Sequence, residues 1–388
     1  MSTDCKPIYL DYHSTTPVDK RVAEKIMQYM ITDFGNPGSV THSYSQDAQK
    51  AIDEAKKNIQ NLLNAESSKV IFTSGATESL NLAIIGTVTR DCSKKHKIAV
   101  LPVEHKAVLD TCKTLEKKNL IETIFLDIDS KGRLDLDSLE KACQQDLSLI
   151  CVMMANNEIG NIYPIKKVCE IANKYNVPVL CDATQGTGKV NIEFNNWGLT
   201  YMTISAHKMY GPKGSGALII KKGAKLSPML CGGGQQEGLR PGTLNVSGIV
   251  GLGECCKIAK EEMEEDNKRI KENRDFLLNK LIENFPHLII NGDIENKLCG
   301  NISVSFPSLQ NQDIISSVRD KIAISTGSAC SSGFENASHV LTAMKLPNDT
   351  IFSTLRICVG KYTTQSDVEK AAEALINAIK GLYLKKVS

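Results

Sequence analysis

Between residues 70 and 220 the chain alternates short β-branched runs with helical patterns, in KVIFTSG, HKIAVLPVE, LSLICVMMANN, VPVLCDAT and YMTISAHK. Strands separated by helix-length connections join as crossover units. The rhythm therefore predicts an α/β fold with a mostly parallel sheet covered on both faces. Such sheets bind ligands in loops beyond the carboxyl ends of their strands. The polar clusters at 74–78, 156–160, 182–185 and 205–208 fall at those ends.

A glycine-rich stretch, CGGGQQEGLRPGT, closes this region, and a long charged periodic segment from about Val246 to Asn284 reads as a helix leaving it. The remainder mixes strands (NISVSF, STLRICV) with helices (DIISSVRD, SDVEKAAEALINAIKGLYL), as in a smaller α+β domain that the N-terminal PIYLDY rejoins. The expected division is a large domain at 16–264, and a small one made of 1–15 and 265–388 that carries Cys330. With 388 residues, a net charge of +2, 41% hydrophobic and 23% charged residues, the chain reads as an ordinary globular protein and not as a dedicated nucleic-acid binder. No window reaches the roughly 20 continuous apolar residues of a membrane helix. The 13 cysteines include no C-x-x-C pair, and the first residues show no targeting pattern. A reduced, soluble, cytoplasmic protein is expected, or one of an organellar matrix if a transit peptide has been removed.

Lys208 follows an apolar strand and precedes a small-residue loop in YMTISAHKMYGPKGSGA, which holds its amine at a strand end beside Ser205 and His207. A solvated lysine is the ordinary case; a desolvated one with a lowered pKa can form a Schiff base with a carbonyl cofactor. Asp182 ends VPVLCDATQG, where it either caps the next turn or meets a cationic partner such as a protonated pyridine nitrogen. In VIFTSGATESLNLAIIG the backbone N–H groups of Ala76 and Thr77 open a helix suited to phosphate, although an ordinary capped helix looks much the same. His105 follows another strand, as a structural residue or as a ring that stacks on an aromatic cofactor or moves protons. Arg356 interrupts an apolar strand and needs a carboxylate, either internal or that of an amino-acid substrate. Cys151, Cys181 and Cys358 read as small core hydrophobes. Cys330, in STGSACSSGFENASH, lies in a segment with neither a core face nor a helical stripe, as expected of a nucleophilic thiol on a loop.

The strings YLDYHSTTPVD, FGNPGS, FTSGATESLNLAI, EHKAVLDTC, NNEIG, DATQ, SAHKMYGPKGSGAL, RPGTLNV and STGSACSS together resemble the NifS/IscS-type cysteine desulfurases, over nearly the whole chain. The resemblance implies a homodimeric pyridoxal-phosphate enzyme of fold type I, with a mainly parallel seven-stranded sheet. It implies that Lys208 binds the cofactor as a Schiff base, Asp182 pairs with the pyridine nitrogen, His105 stacks on the ring and Gln185 meets its phenolic oxygen. Ala76, Thr77, Ser205 and His207 would hold the phosphate, and Thr243 would reach the phosphate of the other subunit. Asn157 and Arg356 would orient L-cysteine, and Cys330 would take its sulfur as a persulfide, leaving alanine. The sulfur then passes to an iron-sulfur scaffold protein or another acceptor, with Cys330 as a transient ligand of a shared cluster. Two departures stand out: GGGQQEG lacks the arginine usual near its end, and Lys361 replaces one in GKYTT. The sequence ends at Ser388 short of the C-terminal extension by which IscS-like members hold their scaffold, so that docking mode is not carried over. The rival readings are a selenocysteine lyase, aminotransferase or β-lyase using the same cofactor, and a non-enzymatic sulfur or metal carrier.

Overall fold

The computed structural model describes residues 6–39, 41–327 and 337–387. After β1 (Ile8–Tyr9) come β2 (Lys69–Thr73), β3 (His96–Val100), β4 (Ile121–Phe125), β5 (Leu149–Cys151), β6 (Val179–Asp182), β7 (Tyr201–Ser205) and β8 (Gly216–Ile220). These last seven form one sheet in the order β2-β8-β7-β6-β5-β3-β4. The pairs from β7 through β4 are parallel, whereas β8 runs antiparallel to both β7 and β2. The link from β7 to β8 holds only a three-residue 3₁₀ turn, too short for a helical crossover, so the chain must reverse there.

Alternate residues of these strands enter different cores, as a period of two requires. Ala99, Ile150, Cys181 and Ile219 pack with the helices Ser43–Leu63 and Ile165–Lys174, while Ile98, Val100, Leu149, Leu180 and Leu218 pack with Ala76–Val88 and Lys106–Lys117. Both faces are buried, which explains why the runs read as continuously apolar. The carboxyl ends of the parallel strands open on one side of this layer.

The rest of the chain is built around β9 (Ile289–Ile290), β10 (Asn301–Ser305), β11 (Ile322–Ala323) and β12 (Thr354–Cys358). Strands β12, β10 and β9 form an antiparallel sheet, and the N-terminal run returns to this region because β1 pairs in parallel with β11. The helix Val246–Asn284 is continuous over 39 residues and serves both regions. Its Val246, Ile249, Leu252 and Cys256 enter the core of the large sheet, and its Ile270, Leu277 and Leu281 enter the core under β10 and β12.

Gly253 of that helix lies against Ala55 of Ser43–Leu63, and a Cβ built there would stand 2.6 Å from the Ala55 Cα and Cβ. The two helices can approach this closely only without a side chain at 253. Gly253→Val is expected to destabilise the fold by about 1–3 kcal/mol through overpacking, read as a lowered urea midpoint.

Candidate functional site

A cavity of about 560 Å³ opens at the strand ends, within the size range of small-molecule sites. Ser205 ends β7, and the turn that follows carries His207 and Lys208. The Lys208 Nζ donates to the backbone carbonyls of His13 and Ser14, each at 2.6 Å. Residues 11–14, just after β1, thus reach across to the sheet and clasp the amine.

The helix Ala76–Val88 points its N-terminus at the same cavity. Its N-cap is Gly75, at φ +152°, which supplies no capping side chain to the first-turn N–H groups. A Cβ on Gly216 would stand 2.7 Å from the Gly75 Cα, so the bare backbone of β8 lets the turn press against Ser205. Glu78 would repel an anion here, but Arg240 pairs with it at 2.8 Å and its Oε2 accepts from the Ser74 N–H. An uncapped helix N-terminus beside Ser205, His207 and Lys213 suits a phosphate ester. Burial first, then Lys208, Lys213 and Lys189, push the His207 imidazole down to about 4, so it is neutral until an anion arrives.

Asp182, the last residue of β6, lines the cavity nearly buried, and its Oδ1 accepts from the Thr184 N–H at 3.0 Å. Both readings of this residue therefore apply: it caps the following turn and also faces the cavity. His105 caps the helix Lys106–Lys117 by accepting the Ala107 N–H at its Nδ1, which leaves Nε2 as the protonated nitrogen of the neutral ring. Gln185 donates from Nε2 to the His13 carbonyl, and its Oε1 accepts from Lys189, a buried amine that desolvation lowers to about 8.

At the other wall Arg356, in the centre of β12, is only 2% exposed. Its Nη1 donates to the carbonyls of Asn157 and Gly327, and its Nη2 to Asp11 and Ser14. Its Nε is buried with no hydrogen-bond partner among the described residues. The internal salt bridge allowed by the sequence exists, with Asp11 at 2.8 Å, and one donor of the fork is left over.

Ala76, Thr77, His105, Asn157, Asp182, Gln185, Ser205, His207, Lys208 and Arg356 thus surround one space. Thr243 is exposed and does not line it in this chain. Cys330 lies outside the described residues. Cys151, Cys181 and Cys358 are fully buried core thiols whose pKa burial raises.

Several residues of the site escaped the sequence reading. His13 and Ser14 line the cavity, and their only signal was the polar run DYHS after a short apolar strand. The buried His13 ring is held neutral by desolvation and by Lys189, Arg356 and Lys208. Glu104, next to His105 in the sequence, is completely buried; its Oε1 accepts from the Met153 N–H and its Oε2 has no partner among the described residues. Burial and the nearby Asp182 favour its protonated form.

The residues present fit a phosphorylated pyridine aldehyde: an amine for its carbonyl, a carboxylate for its ring nitrogen and an unblocked helix end for its phosphate. Thr184 and Arg356 both line the cavity, and the Thr184 Oγ1 and Arg356 Nε are buried without a hydrogen-bond partner among the described residues.

Residues 8–371 match the family described as Aminotransferase class-V. The chain is 41% identical, over 379 residues, to the cysteine desulfurase IscS of Ehrlichia chaffeensis, covering 97% of this chain and 92% of that protein. Among solved structures, a NifS-like protein superposes with a TM-score of 0.89 at 33% identity, over 97% of this chain and 100% of the other. SspA in complex with cysteine gives 0.80 at 31% identity, over 92% and 99%.

The His207 shift predicts a pH dependence in protein stripped of bound anions. As pH falls from about 6.5 towards about 4, the unfolded chain binds a proton that the folded one refuses, so stability falls over that window. Denaturant titrations of His207→Asn should show a shallower loss than the parent. The slope should not vanish, because His13 contributes with the same sign.

Proposed function

The chain belongs to the class-V aminotransferase family, and on that premise we propose that it is a cysteine desulfurase, converting L-cysteine to L-alanine and passing the sulfur to Cys330 as a persulfide. Pyridoxal phosphate is the family's cofactor. When bound it supplies an electron-poor ring able to accept the electron pair of a Cα–H bond. The observation that carries the reading is the joining of Lys208, Asp182 and Arg356 in one cavity.

In this reading Lys208 would hold the cofactor's carbonyl carbon, and its amine, when free, would take the Cα proton of the bound amino acid. The carbonyls of His13 and Ser14 aim it. Asp182 would keep the ring nitrogen protonated, His105 would pack on the ring face and Gln185 would steady the phenolic oxygen. Ala76, Thr77, Ser205 and His207 hold the phosphate, with Thr243 reaching it from a second copy of the chain. Asn157 and Arg356 orient the amino acid, and Arg356 grips its carboxylate.

Cys330, as thiolate, attacks the substrate sulfur; the S–S bond forms as the Cβ–S bond breaks, and the carbon fragment leaves as alanine after protonation. Gly327, three positions earlier in the sequence, lines the cavity. The persulfide then serves an acceptor such as an iron-sulfur scaffold protein. The same reading assigns the cofactor to a large domain at 16–264 and Cys330 to a smaller one, within a homodimer. No helix among the described residues is long and apolar enough to cross a membrane.

With L-cysteine and a mild reductant, alanine and sulfide should appear in equal amounts; alanine with neither sulfide nor persulfide would sink the proposal. Cys330→Ala should abolish sulfur release while the cofactor's absorption near about 400 nm persists. Lys208→Ala should lose both products by about 10²–10⁴-fold or more, as expected for removal of a general base.

A further inference from the structure

Arg356 and Asp11 lie 345 positions apart, yet meet at 2.8 Å where β12 bridges to the segment after β1. Four bonds engage the two Nη atoms, two to carbonyls, one to Asp11 Oδ1 and one to Ser14 Oγ, and the buried Nε has no partner among the described residues. The partners differ in place: Ser14 lines the cavity, and Asp11 is not among its lining residues. Asp11 is itself fixed, since its Oδ1 also accepts from Ser325 Oγ and its Oδ2 from Ser14 Oγ. The Tyr9 hydroxyl lies 3.0 Å from the carbonyls of both Asp11 and Thr15 and can donate its one proton to either.

A buried guanidinium needs a counter-charge. Asp11 supplies it from behind, before any ligand arrives. An α-carboxylate entering from the cavity can replace the cavity-lining Ser14 hydroxyl on Nη2, but it then faces a second anion, Asp11, across the same cation. We propose that Asp11 is a positioning residue and built-in counter-anion of Arg356, whose charge weakens and so sets the cavity's grip on an amino-acid carboxylate. This rests on the reading of the cavity as an amino-acid site. The functional consequence is a carboxylate held firmly enough to orient L-cysteine yet loosely enough to let alanine leave.

The test is equilibrium binding to the cofactor-loaded enzyme, followed by the change in cofactor absorption, with L-alanine and with ethylamine, which is alanine without its carboxylate. Asp11→Asn keeps an oxygen for Arg356 and removes the charge. It should tighten L-alanine about tenfold, leave ethylamine within about twofold and lower KM for L-cysteine. Asp11→Ser, smaller and neutral, should shift L-alanine in the same direction. A residue serving only as a structural prop would give the opposite sign, so weaker or unchanged L-alanine binding in both variants overturns the inference. Parallel shifts for both ligands overturn it as well. If the parent enzyme itself does not prefer L-alanine to ethylamine, the amino-acid reading of the cavity fails and the inference falls with it.

Discussion

Two backbone carbonyls on the Lys208 amine hold the site together. His13 and Ser14 belong to the N-terminal segment, which pairs with β11, whereas Lys208 belongs to the turn after β7 of the large sheet. The contact closes the cavity between the two regions and fixes where the reactive nitrogen points. Further bonds run alongside it: the Thr16 hydroxyl and N–H both donate to the His207 carbonyl, and Gln185 donates to the His13 carbonyl. Backbone carbonyls of the N-terminal segment and of the turn after β7 thus accept the bonds that join the two regions.

Around that clasp the charges are sorted by position. Lys208, Lys213 and the neutral His207 lie near the bare end of the helix Ala76–Val88, where Glu78 is silenced by Arg240. Asp182 stands at the end of β6, and the buried Glu104 near it is driven towards its protonated form, which avoids two adjacent buried anions. At the far wall Arg356 is balanced by Asp11. One cavity thus offers separate places for a phosphate, a ring nitrogen and a carboxylate, an economy possible because each strand end contributes a different group.

Much of this was legible in the chain itself. The alternation over residues 70–220 identified the sheet, and the strand ends at 74–78, 156–160, 182–185 and 205–208 supplied most of the cavity wall. The helix Val246–Asn284 was recognisable as one long segment rich in charged residues. What the reading missed was the reversed strand β8 and the roles of His13, Ser14, Glu104 and Lys189. Their neighbours in sequence say little, because burial and partners come from elsewhere in the fold.

The sequence by itself determined the local elements and which side chains would stand at strand ends, since alternation of two and of about 3.6 residues is a short-range property of the backbone. Long-range packing is what pairs Arg356 with Asp11, clasps Lys208 with the 11–14 turn, and turns Asp182 towards the cavity as well as onto its own turn. Those choices join residues as far as 345 positions apart, and they follow from how the sheets and the long helix pack, which no local pattern encodes.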